Sequence, residues 1–288
     1  MPGRHPRIIV NADDFGFSPG VNAGIAAAHR RGIVTSASLM ANAPGFAEAV
    51  VLAAENPALG IGVHLNLVRG KPLSPLAGIP LLAGGGGRFR PFRWRRMSPA
   101  FLGQAEGEYR RQIEKIVAAG IRPTHVDFEK HHAWQAPLYR LAARLAREYG
   151  IRAIRNLREP PIWAIRRLGW PGWRRLSLSL SLRAGLALFG PGSSGLASPD
   201  RLLGQCRIGD MDEAAWLRLA RHVPPGVSEI MTHPGMADAS GAGGDMGTSR
   251  LAAGRKRELE ALASPLVRHS LEEAGVERIT FAGIAGAD

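Results

Sequence analysis

Short apolar runs alternate with segments of helical period along nearly the whole chain. The first run, Arg7–Ala12 (RIIVNA), is a strand with no polar alternation, as expected where both faces are buried. Runs 33–41 (IVTSASLMA), 59–67 (LGIGVHLNL), 121–129 (IRPTHVDFE), 151–157 (IRAIRNL), 226–234 (GVSEIMTHP) and 277–283 (ERITFAG) read as further strands. Between the first two, SPGVNAGIAAAHRRG (18–32) reads as a helix, with Ser18 as N-cap, Pro19 at the first helical position and Gly32 as the stop. Segments 45–57, Gln104–Ala119, Pro137–Tyr149, Met211–His222 and Arg250–Ala274 read as helices too.

Strand–helix alternation of this kind means parallel strands joined by right-handed crossovers. It predicts an α/β fold, a (β/α) TIM-barrel-like architecture distorted to seven strands, with an open doubly wound sheet as the alternative. The 288 residues read as a single domain. Two stretches break the alternation, 69–103 and 158–205. Both are long enough to be inserted loops with a role of their own.

Composition adds little to this. The single cysteine, Cys206, allows no internal disulfide, reads as a small buried residue, and fits a reducing compartment. The N-terminal MPGRHPRIIV lacks the apolar core of a secretory signal, and no long uncharged apolar stretch predicts a membrane span. The expected location is cytoplasmic.

The chemistry is concentrated where parallel strands end, which is where such folds build their sites. Asp13 and Asp14 follow the first strand, His64 and Asn66 the third, His125 and Asp127 the fourth, and His233 closes the run MTHPG. A carboxylate after a strand is often only a helix cap, and a lone strand histidine is often a core residue. Four such coincidences at four strand ends are harder to accept than one shared site. One carboxylate and two neutral imidazoles suit a divalent metal with open positions. A second carboxylate can then accept a proton from water, and a histidine opposite can donate one to a leaving group. That set suits hydrolysis of an amide or ester. Asp127 is expected to orient a neighbouring histidine or to close a turn.

Taken together, NADDFGFSPGVNAGI, GIGVHLNL, THVDFEKHH and EIMTHPG resemble the YdjC/ChbG family of carbohydrate deacetylases, and the C-terminal RELEAL with ITF resembles that family's ending. The resemblance runs from residue 7 to about 283, with the motifs in the family's order. It implies a barrel-like enzyme that removes acetyl groups from N-acetylated sugars with one divalent metal ion. By position it implies Asp14, His64 and His125 as metal ligands, Asp13 as general base and His233 as general acid. Two imidazoles favour zinc, while the family is often described with magnesium, so both are expected. Asn66, Asp127, Glu129, His131 and Trp134 are placed around substrate or behind the ligands. The family has further histidines at alternate positions after His-x-Asp, whereas here Glu129 takes the first of these and His131 the next. This variant, HVDFEKHHAW, resembles the hopanoid-associated HpnK subgroup, which implies an N-acetylglucosaminyl hopanoid as substrate.

Charge sharpens the substrate expectation. The net charge is +13, and RFRPFRWRR (88–96) carries five arginines and three aromatics. Segment 162–190 holds five arginines, three tryptophans and no acid. Arginine interleaved with tryptophan suits an anionic bilayer surface or nucleic acid, and the leucines and alanines of 176–190 favour lipid over nucleic acid. The expected enzyme is therefore peripheral at the inner membrane and acts on a glycolipid. The alternatives are a deacetylase of soluble chitooligosaccharides and a basic membrane- or nucleic-acid-binding module with a relic metal site.

Overall fold

The computed structural model describes residues 5–91, 97–160, 166, 194–236 and 251–286. Its strands, all parallel, are β1 (Pro6–Phe15), β2 (Ser36–Leu39), β3 (Gly60–Leu65), β4 (His125–Phe128), β5 (Ala153–Ile154), β6 (Arg201–Leu203), β7 (Gly226–Thr232) and β8 (Glu277–Arg278). Seven form one curled sheet in the order β5-β4-β3-β2-β1-β7-β6, and β8 adds to the start of β1. The order explains the unalternating sequence of β1. As a central strand it buries Ile8, Ile9 and Val10 in succession. The sheet edges approach each other through irregular backbone: Ile154 N donates to Ala197 O at 2.9 Å and Leu202 N to Arg158 O at 3.0 Å. The result is the expected (β/α) barrel-like wall.

The helices are α1 (Pro19–Arg30), α2 (Phe46–Glu55), α3 (Pro99–Ala118), α4 (Ala136–Glu148), α5 (Glu213–Ala220), α6 (Ala252–Leu262) and α7 (Pro265–Glu273). Ser18 caps α1 through Val21 N with Pro19 next in line, as its sequence predicts. The amphipathic α4 buries Leu138, Leu141 and Leu145, while its outer Arg144 and Glu148 interlock with Glu106 and Arg110 of α3.

Several boundaries differ from expectation. The helix expected over Arg250–Ala274 is two helices. Ser264 is extended, because the ring of Pro265 excludes helical geometry from the residue before it, and Ser264 then caps α7. The expected strand 277–283 keeps only Glu277–Arg278 before a 3₁₀ turn at Phe281–Ile284. The supposed insert 158–205 contains β6, a strand of three residues. Helix α3 begins at Pro99, inside the other supposed insert, because Ser98 caps it. Residues 92–96 of the first basic-aromatic run and nearly all of 162–190 lie outside the described residues.

Two glycines test the packing. A Cβ on Gly62 of β3 would sit 2.3 Å from ring atoms of His125, in rigid surroundings. On exposed Gly107 of α3 it would meet nothing within 4 Å. Gly62→Ala should therefore cost at least about 1–3 kcal/mol through overpacking. Gly107→Ala should add roughly 0.5–1 kcal/mol through helix propensity. Denaturant unfolding of both variants measures the difference.

Candidate functional site

Successive residues on a strand point to opposite faces, so Asp13 and Asp14 would ordinarily part company. They do not, because the pairing of β1 with β2 shifts register between Ala12 and Phe15. Asp14 sits in this irregularity with φ of 70°, a left-handed conformation that aspartate tolerates better than most residues. Both side chains are buried at the C-terminal end of the sheet.

Each carboxylate has its own arginine. Arg155, just beyond β5, grips Asp13 with two bonds, Nη1 to Oδ2 at 2.8 Å and Nη2 to Oδ1 at 2.6 Å. Asn11 Nδ2 adds a third at 2.8 Å. Burial opposes ionisation of Asp13, but the guanidinium outweighs it and holds the carboxyl well below its usual range. Arg255 of α6 donates through Nη2 to Asp14 Oδ2, and its charge likewise overcomes burial and lowers that carboxyl.

His64 lies between two sets of acids. Its Nδ1 is 2.8 Å from Asp127 Oδ1, so Nδ1 carries the proton and donates it. Its Nε2 is 3.3 Å from Glu129 Oε2 and 3.9 Å from Asp14 Oδ1. Burial disfavours a charged ring, yet Asp127 and Glu129 raise its pKa well above the usual value. The surroundings therefore call for positive charge on Nε2. Asp127 is fixed in turn by Ser38 Oγ at 2.7 Å and Arg155 Nη1 at 2.8 Å. That is the geometry of a carboxylate that orients a histidine.

Arg155 also meets Glu229 of β7, with Nε to Oε1 at 2.7 Å. One buried guanidinium cannot offset three carboxylates. Burial, reinforced by Asp127 and Asp13, pushes Glu229 up to about 7 despite Arg155. Neither Arg155 nor Glu229 was singled out from sequence. The available signal was a charged residue in each of two buried strand runs, IRAIRNL and GVSEIMT.

The structure does not seat His125 with the other expected ligands. The register pairs His64 with Asp127, so His125 falls one pleat lower in the barrel, beside Gly62. There it stacks on Phe281 with centroids 3.7 Å apart, and its nitrogens face Thr124 Oγ1 at 2.9 Å and Ser38 Oγ at 3.3 Å. Burial pushes its pKa down to about 3. The place expected for it at His64 Nε2 is taken by Glu129. His233 reaches the site from β7, with Nε2 4.0 Å from Asp13 Oδ2 and its backbone N donating to Glu258 at 2.6 Å. His131 is buried, and burial pushes it down to about 3. Asn66 is spent on its own loop: Oδ1 accepts from Val68 N and Arg69 N, and Nδ2 donates to Asn42 Oδ1 and Arg69 O. The side chain of Trp134 lies outside the described residues.

Among the described residues two triads could hold a metal ion, Asp14–His64–Glu129 and Asp13–His64–Asp127, each with donor atoms within 4.8 Å of one another. The second is already occupied by the cationic Arg155, which takes both oxygens of Asp13. In the first, Arg255 holds Asp14 Oδ2, and Arg69 Nε lies 3.1 Å from Glu129 Oε1. The partner oxygens face His64 Nε2, so the first triad fits a divalent cation.

A barrel-like α/β protein with an imidazole–carboxylate site at its strand ends belongs to the architectural class that hosts hydrolytic chemistry. More particularly, the chain belongs to the YdjC-like protein family, whose model matches residues 7–273. It is 34% identical over 276 residues to a carbohydrate deacetylase of Brevibacillus brevis, covering 96% of this chain and 98% of that one. A carbohydrate deacetylase of Geobacillus stearothermophilus is also 34% identical, over 277 residues, covering 95% and 96%. The crystal structure of an Enterococcus faecalis V583 protein, named for cellobiose-phosphate cleavage, superimposes with a TM-score of 0.78 at 29% identity. That match covers 98% of this chain and 100% of that one.

Glu229 makes stability depend on pH. Its folded pKa of about 7 lies above the ordinary 4.5, so the folded state holds the extra proton. The contribution is full below about pH 4.5 and is lost as pH rises through about 7. Glu229→Gln keeps a neutral group there, so between those limits it should gain on the order of 2–3 kcal/mol relative to the parent chain. Denaturant melts at both ends of the window test this, and an unchanged difference refutes it.

Proposed function

We propose that this chain is a metal-dependent carbohydrate deacetylase that removes the acetyl group from an N-acetylated sugar. One observation carries the reading: Asp14 Oδ1, His64 Nε2 and Glu129 Oε2 converge beside the Asp13–His233 pair. The identity to proteins named carbohydrate deacetylases over almost the whole chain supports it.

Asp14, His64 and Glu129 would hold the ion, with Glu129 in the role expected of His125. A divalent ion there supplies Lewis acidity toward the acetamide carbonyl and lowers the pKa of water. Asp127 keeps the Nδ1 proton of His64 in place, so Nε2 remains a donor to the ion. Asp13 takes the proton from the attacking water. Arg155 makes Asp13 a weak base that cannot keep that proton, so the proton passes through one bridging water to His233, whose Nε2 is 4.0 Å away. His233 then returns it to the departing sugar amine. The base thus sits on β1 and the acid just beyond the end of β7, its neighbour in the sheet.

The finer substrate reading is an N-acetylglucosaminyl hopanoid. The HVDFEKHHAW variant and the arginine–tryptophan segments 88–96 and 162–190 support it, since a polycyclic lipid calls for an apolar approach and an anionic surface calls for arginine. The association proposed is peripheral, on the cytoplasmic face; among the described residues no helix is long and apolar enough to cross a membrane. Soluble chitooligosaccharides are the second reading, with which the relatives' broader name is compatible.

Mass spectrometry of the purified chain with both substrates separates these readings. Loss of one acetyl group from the hopanoid, much faster than from the oligosaccharide, is expected. Equal rates, with no binding to anionic liposomes, would transfer the assignment to soluble sugars. Asp14→Asn and His64→Ala should reduce turnover by at least about 10³-fold. Asp13→Asn and His233→Ala should cost about 10²–10⁴-fold, the usual range for a proton-transfer group. Undiminished turnover in Asp14→Asn and His64→Ala would sink the metal reading.

A further inference from the structure

The two carboxylates at His64 Nε2 are held in the same way, each by an arginine. Arg255 Nη2 donates to Asp14 Oδ2, and Arg69 Nε lies 3.1 Å from Glu129 Oε1. Both guanidiniums rest on the buried ring of Phe17, with their central carbons 5.2 Å (Arg69) and 5.6 Å (Arg255) from its centroid. Each arginine is placed by further contacts. The backbone of Arg69 is bound by Asn66 and by Asn42 Nδ2, and Arg255 lies so close over Gly235 that a Cβ there would come within 2.9 Å of its Cδ. One oxygen of each carboxylate is thereby committed to an arginine, and the other is presented at Nε2.

We infer that the arginine-bracketed pair of carboxylates, Asp14 and Glu129, tunes the site toward small, oxygen-preferring ions, narrowing zinc's advantage and discriminating against calcium. The inference rests on the metal-dependent reading above. Two carboxylates and one imidazole make a harder donor set than one carboxylate and two imidazoles. Carboxylate suits magnesium and manganese, whereas imidazole suits zinc. Calcium needs six to eight oxygens and draws on bidentate carboxylates. Here one oxygen of each acid already accepts an arginine N–H, which disfavours bidentate binding by either acid.

The test is equilibrium binding to the full chain after removal of metal by a chelator. Manganese is followed by electron paramagnetic resonance, and magnesium, calcium and zinc by competition or calorimetry. Calcium should bind at least ten-fold more weakly than manganese. Glu129→Gln should weaken manganese at least ten-fold, and Glu129→His should raise the zinc-to-manganese affinity ratio at least ten-fold. Thermal melts verify folding, and if Glu129→Gln does not fold the ratio in Glu129→His decides alone, an unchanged ratio overturning the inference. Manganese affinity unchanged in Glu129→Gln but lost in Asp14→Asn overturns the role of Glu129 and leaves the metal-dependent reading standing. Affinity unchanged in Glu129→Gln, Asp14→Asn and His64→Ala overturns both.

Discussion

The buried guanidinium of Arg155 is the constraint on which the rest of the site depends. It stands just beyond β5 and reaches carboxylates on three other strands: Asp13 on β1, Asp127 on β4 and Glu229 on β7. With no water to replace these partners, removing one side of such a pair costs about 3–5 kcal/mol. Four strands are therefore fixed relative to one another by one side chain. The placement of His64 follows at one remove. Arg155 holds Asp127, Asp127 holds the Nδ1 face of His64, and Nε2 is left pointing at Asp14 and Glu129.

The two adjacent aspartates are made unlike by their arginines. Arg155 takes both oxygens of Asp13, leaving it ionised and closed to a metal ion. Arg255 takes one oxygen of Asp14 and leaves the other at His64. The backbone makes this division possible, since only the left-handed turn at Asp14 lets consecutive residues share one face. A regular strand through residues 11–15 would send one of the two carboxylates to the opposite face of the sheet.

What the sequence made legible follows from length and periodicity. Strands β1, β3 and β7 are long and apolar, so their ends, and with them Asp13, Asp14, His64 and His233, could be located. Strand β6 has three residues and no periodic signal, so it was hidden in a supposed insert. His125 looked equivalent to His64 because both are strand histidines. Only the pairing register shows that His64 is level with Asp127, two residues further on, which lowers His125 by a pleat and brings Glu129 to the rim. Register is not readable from one chain, because it depends on where its neighbour starts. Arg155 and Glu229 were readable in principle, as opposite charges stranded in two buried runs that must meet something.

Charge completes the argument. Around His64 stand the carboxylates of Asp13, Asp14, Asp127 and Glu129, faced by Arg69, Arg155 and Arg255, while Glu229 is drawn toward its neutral form. Among the described residues, with His64 counted as neutral, the cluster is thus one positive charge short. A divalent ion at His64 Nε2 would more than supply it, turning the local balance to net positive. In the proposed reaction negative charge develops on the acetamide oxygen as water attacks, and a fixed, water-poor site with a small positive excess stabilises that charge more than it does the neutral substrate. The arginines thus have two effects. They hold the acids in place, and they keep a site built from so many carboxylates from repelling the anion it is proposed to create.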